Sequence, residues 1–148
     1  MKALLNLTEA IRAELEGNAL INSVTFGDLS DVDLDKQGVF PMAHVGISSA
    51  TIGSATSSVN VSILFLDVVD ESKERDDFYK SNEQFIWNSM LAAATKTVQE
   101  LQRGSLHANL FQVEDEVTAE FFSERFEDKL AGCGIDINVT IVNNVNLC

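Results

Sequence analysis

The clearest pattern in the chain is the alternation between Val59 and Phe65. Val59, Val61, Ile63 and Phe65 fall on one side of an extended backbone, and Asn60 and Ser62 fall on the other. The stretch from His44 to Leu66 reads as a hairpin around this strand. Val45, Ile47 and Ile52 mark its first strand, and Gly53-Ser54-Ala55-Thr56-Ser57 supplies the turn. The same period returns further along, where Ile135, Ile137, Val139 and Ile141 alternate with Asp136, Asn138 and Thr140.

Two other segments repeat at helical spacing. Leu4, Leu7, Ile11 and Leu15 share one side of a first helix, with Glu9, Arg12 and Glu14 on the other, and Gly17-Asn18 stops it. A longer helix runs from a cap at Ser81 or Asn82 to Arg103. Its expected apolar stripe is Trp87, Met90, Leu91, Ala94, Val98 and Leu101, and Ala92-Ala93-Ala94 allows close packing. Arg103 in the last turn suits the helix dipole, and Gly104 ends the helix.

Shorter strands are expected at Ser23–Phe26, Leu110–Val113 and Val117–Phe122, the last two flanking the acidic turn Glu114-Asp115-Glu116. Pro41, the only proline, suits a strand entrance. Residues 27–38 read as a polar loop, 67–77 as a charged connection, and 124–131 as a turn or irregular lead-in. The order is helix, strand, hairpin, helix, three strands. It predicts one α+β domain over residues 1–148, with an antiparallel or mixed β-sheet packed against one long helix and an N-terminal helix.

Composition agrees with a folded domain. A chain of 148 residues can bury about 68–70% of the surface its unfolded form exposes. With 45% hydrophobic and 22% charged residues it has material for a core despite its charge. No stretch approaches the roughly 18 apolar residues of a membrane span. Met1-Lys2-Ala3-Leu4-Leu5 soon meets Asn6, Thr8, Glu9 and Arg12, so an export leader is not expected and a reducing cytoplasm is. Cys133, between Gly132 and Gly134, reads as a small semi-buried residue and Cys148 as an incidental thiol.

Net charge changes the picture more. Ten basic residues face 23 acidic ones, giving −13, with no basic run longer than a pair. Tight nucleic-acid binding rests on Lys and Arg neutralising phosphates, so it is disfavoured.

The candidate chemistry is thin. Asp31, Asp33 and Asp35 match the opening of a calcium loop. However, Lys36 stands where the turn needs glycine, and Met42 stands where bidentate ligation needs glutamate. A solvated acidic loop is the expectation. His44 and His107 have no neighbouring carboxylate or cysteine and read as strand-end or loop residues. No Gly-x-Ser-x-Gly elbow marks a nucleophile, and Cys133 lacks a basic neighbour to lower its pKa. Phe85, Ile86 and Trp87 read as core packing rather than a ligand pocket. No catalytic residue, metal or cofactor is expected. A folded, acidic, chemically bare domain points toward surface and assembly.

Several segments also carry a likeness. Asp31–Gln37 leading to Phe40–His44, the strand exit Phe65–Glu74, the helix start Asn82-Glu83-Gln84, and Arg125–Gly132 resemble small virion proteins of tailed phages from Bacteroidetes-type hosts. The element order is similar to that of the tail-terminator or tail-completion family. That resemblance implies a non-enzymatic homo-oligomer, a hexameric ring that caps the tail tube and docks the neck, with DNA passing through without specific binding. It implies location in the virion after synthesis in the host bacterial cytoplasm, with no membrane partner.

Under that reading the connection bearing Asp67, Asp70, Glu71, Lys73, Glu74, Arg75, Asp76 and Asp77 is a candidate subunit interface or channel lining. A solvated loop is the plain alternative. Two other functions compete: a head-completion or neck connector protein, and an acidic monomeric binding module that mimics DNA to inhibit a host enzyme.

Overall fold

A computed structural model describes residues 3–27, 40–69, 82–103, 111–125 and 130–142, without the side chains of 3, 124, 125 and 142. Within them lie α1 (Ala3–Glu16), β1 (Ser23–Phe26), β2 (Met42–Ile52), β3 (Thr56–Val68), α2 (Glu83–Arg103), β4 (Phe111–Val113), β5 (Ala119–Arg125) and β6 (Leu130–Val142). The fold is α+β, and the sheet is open and mixed. Its order is β1-β2-β3-β6-β4, with β5 also on β6; β1 and β2 run parallel and every other pairing is antiparallel.

Alternation explains where the core sits. Val59, Val61, Ile63 and Phe65 of β3 lie beside Val139, Ile137, Ile135 and Cys133 of β6, all on the face that the helices cover. None of these is more than 4% exposed. Leu7, Ile11 and Leu15 of α1 complete the layer at 1% or less, whereas Leu4 is 48% exposed, so the stripe starts one turn later than the spacing predicts.

The buried side of α2 is also turned from the expected one. Ile86, Met90, Ala93, Ala94, Thr97 and Leu101 are buried, while Leu91 is exposed and Trp87 and Val98 are half-buried. Small side chains at 93, 94 and 97 let another element come close, and Asn18 does so. Its amide donates to the Ala93 carbonyl (3.1 Å) and to Thr97 Oγ1 (3.3 Å), while its Oδ1 accepts the Leu20 amide (3.0 Å). A residue that reads as a helix stop is therefore a buried clamp between α1 and α2. Gly17 still closes α1 by donating to the Ala13 carbonyl at 3.0 Å.

The strands after α2 flank the acidic turn, as expected. β4 and β5 do not pair across the acidic turn. Both lie along the edge of β6 that β3 leaves free, with Val113 opposite Val139 and Ala119 opposite Ile135. Residues 114–118 thus face only 136–138, and 111–125 is one long strand interrupted by an outward excursion. β6 is long enough to pair with both pieces because it begins at Leu130, inside the expected lead-in.

On the other face a smaller cluster, Met42, Leu66, Phe122 and Leu130, closes one end of the sheet. Gly132 lies opposite both Leu66 and Phe122, and a Cβ there would sit 1.8 Å from the Phe65 carbonyl oxygen. Only glycine permits that approach of β3 to β6.

Candidate functional site

The helix-free face is built by the even positions of β3 and β6, which alternation turns away from the core. Their polar side chains pair across strands. Ser48 Oγ donates to Asn60 Oδ1 (2.7 Å), and the Asn60 amide donates to Asn138 Oδ1 (3.1 Å). The Ser62 hydroxyl donates to the Asp136 carboxylate. The excursion at 114–118 leaves the Asn138 N–H facing no strand, and Glu114 Oε1 accepts it at 3.1 Å. The Gln102 side-chain amide of α2 holds the same excursion through the carbonyls of Glu114 (2.7 Å) and Asp115 (3.1 Å).

Between this face and the excursion lies an open concavity of about 810 Å³. Its floor includes Gly46, Ser62, Leu64, Gly134 and Asp136; its walls include Phe26, Phe121, Phe122, Glu114, Glu116 and Glu120. No described helical residue lines it. Among the described residues four carboxylates border it and no Lys or Arg does. The asymmetry extends across the domain. Among the described side chains the cations are Arg12, Lys96 and Arg103, all on helices. Arg12 is held by Glu16 (2.9 Å), which raises its pKa.

His44 also borders the concavity, but as a pin rather than a reactive group. It is 2% exposed and lies within β2, not at a loop or strand end. Its Nε2 lies 3.0 Å from the Gly27 carbonyl, which can only accept, so Nε2 carries the proton. Nδ1 then accepts from the Thr25 hydroxyl at 2.7 Å. Both nitrogens are committed to holding β1 against β2.

Of the residues proposed from sequence as interface or lumen, only Asp67 is described. It lies next to the last residue of β3 opposite Ala131, outside the concavity, and desolvation raises its pKa against the opposing effect of the Val68 N–H. Asp70, Glu71, Lys73, Glu74, Arg75, Asp76 and Asp77 lie outside the described residues. So do the Asp31–Asp35 loop, His107 and Cys148.

Cys133 is fully buried, and desolvation pushes its thiol up to about 11, so it is protonated and unreactive at neutral pH. Of Phe85, Ile86 and Trp87 at the start of α2, only Ile86 is core. Phe85 is exposed, and Trp87 donates from Nε1 to the Phe122 carbonyl (2.8 Å) with its ring 5.3 Å from Phe121. Trp87 thereby ties α2 to the wall of the concavity. Among the described residues no three His, Cys, Asp or Glu side chains gather to hold a metal ion, and no helix is long and apolar enough to cross a membrane.

Sequence reasoning missed the carboxylate set Glu114, Glu116, Glu120 and Asp136. The signal was present for two of them, since Glu120 and Asp136 occupy outward positions of alternating strands. Nothing local places 114–116 beside them, because that depends on β6 pairing with both pieces of the interrupted strand. No protein-family model matches this chain, and no curated protein is significantly similar to it.

Proposed function

We propose that this chain is a ring-forming structural protein of a phage tail, a terminator or completion subunit that caps the tail tube, meets the neck and lets DNA pass. One observation supports it beyond the resemblance. The helix-free face presents carboxylates around a concavity whose described lining holds no cation, while the described cations sit on the helices. A surface that must let phosphates slide has to avoid the counterion release that makes Lys- and Arg-rich surfaces hold DNA. The same face turned toward a channel would repel the backbone it guides. Subunits carrying −13 each must in turn meet through apolar or charge-paired contacts that offset their repulsion.

The deciding measurement is solution mass by light scattering at several concentrations, with and without purified tail tubes, followed by cryo-electron microscopy of the virion. A ring at the upper end of the tail is expected. Density at the neck would reassign the chain to the connectors. A monomer at every concentration, with or without tubes, that captures a basic host enzyme would replace the ring with the DNA-mimic reading. Within an assembled ring, Glu114→Lys with Glu120→Lys is expected to retain DNA in a salt-dependent way that the unaltered ring does not.

A further inference from the structure

Among the described residues, β2 is covered on its outer side only where it begins. β1 pairs with Met42–Val45 and no further. A bulge between Ile47 and Ser49 follows, after which Ser49–Ile52 continue in regular register with β3. The direction of the backbone groups beyond the bulge follows from the turn. Gly53 N–H donates to the Thr56 carbonyl (2.9 Å), so 53 and 56 form a hydrogen-bonded pair. Antiparallel pairs alternate, so Thr51 bonds toward Ser58, whereas Ala50 and Ile52 aim their N–H and C=O groups outward. Residues 48–56 are all exposed, and Ile52 is 84% exposed.

This edge lacks the usual protection. Native edges carry charges, above all lysine, or proline. Here no Asp, Glu, Lys or Arg occurs from residue 37 to residue 66, in a chain of net charge −13. The occupant follows from that contrast. Two copies repel wherever carboxylates face each other, and this hairpin is where they can approach without doing so.

We infer that the outer edge of β2 at 49–52 pairs with the same edge of a second copy, antiparallel about a two-fold axis through Thr51. Ala50 of one copy then exchanges backbone hydrogen bonds with Ile52 of the other, twice over. The two Thr51 residues face each other as a non-hydrogen-bonded pair, where Cα atoms stand about 4.5 Å apart. Each exposed Ile52 gains an apolar neighbour. The contact is small and therefore weak. It goes beyond the ring reading and does not depend on it, since the edge would be equally bare in a monomeric binding protein.

The test uses that two-fold geometry. Thr51→Cys, in full-length protein also carrying Cys148→Ser, is oxidised mildly and run on a non-reducing gel. Ser54→Cys, equally exposed at the hairpin tip, is the control, because its two copies would stand roughly 20 Å apart. Thr51→Cys is expected to form linked dimer about tenfold faster or more, since only that pair lies within disulfide range. Equal rates for the two would overturn the inference.

Thr51→Lys and Thr51→Glu, each folded by circular dichroism, are expected to abolish self-pairing separately and restore it when mixed. Light scattering reads both variants for ring assembly as well. A ring that survives Thr51→Lys while self-pairing is lost separates the two proposals. Self-pairing unaffected by either charge would also sink the edge contact.

Discussion

The two faces of the sheet are made by alternate residues of the same strands, yet they follow different rules. On the helix side of β6, Ile135, Ile137 and Val139 are 4% exposed or less, and their worth lies in volume and fit. On the other side Asp136 and Asn138 are exposed and tied to Ser62 and Asn60 by single hydrogen bonds. One face holds the domain together, and the other leaves room for a charge pattern that stability does not require. A strand that alternates can thus carry both duties in successive residues.

That contrast can be broken by substitution. The largest effect is expected for Ile137→Ala, at the fully buried centre of the helix side, which should lower unfolding free energy by about 4 kcal/mol in urea melts. Gly132→Ala should come next, at about 3 kcal/mol, because the added methyl meets a backbone carbonyl that cannot rotate away. This is the exception that sharpens the comparison, a costly site on the helix-free face whose cost comes from strand approach rather than burial.

Alkaline pH gives a third measure. The Cys133 thiol ionises near 9.0 in the unfolded chain and near 11 in the fold, so the unfolded state loses its proton first. Stability should therefore fall as pH rises from 9 to 11, by about 3 kcal/mol in total. Cys133→Ala melted at both pH values isolates the thiol, since every other titration is common to the two proteins.

Asn18→Ala should cost about 2 kcal/mol, because it leaves the part-buried Leu20 amide without its acceptor and removes the link from α1 to α2. Asn138→Ser, which removes one exposed amide pair on the helix-free face, should cost only about 0.5 kcal/mol. Should Asn138→Ser approach Ile137→Ala in effect, the division of duties between the faces would be wrong.

How much of this was legible depended on range. β3, the second half of β6 and the limits of α2 are written in periodicity, and the structure places them close to where the pattern does. Helix facing was less so. The rotation of α2 toward Ala93 and Thr97 depends on Asn18, which lies 75 residues from Ala93 and whose type is equally at home ending a helix. Pairing was the least legible. Residues 110–122 read as two short strands flanking an acidic turn, with no partner indicated, and only the length of β6 decides that both pieces join it. The acidic site inherits that dependence. Glu114 reaches the Asn138 amide only because the strand is interrupted there.

The place of β6 has a consequence for the order in which the domain can form. It is the central partner: β3 lies on one side, β4 and β5 on the other, and its registers with β3 join residues as far apart as Thr56 and Val142. Before β6 is synthesised, the hairpin and the 111–125 strand share no ladder, and the apolar faces of both helices have only half a sheet to cover. A growing chain therefore carries its hydrophobic halves uncovered until its last described strand arrives. Long-range pairing of this kind folds slowly, because loop closure must precede any gain from the contacts. Nascent chains halted before residue 130 should be protease-sensitive throughout, and the domain should become resistant in one step once β6 is free to insert.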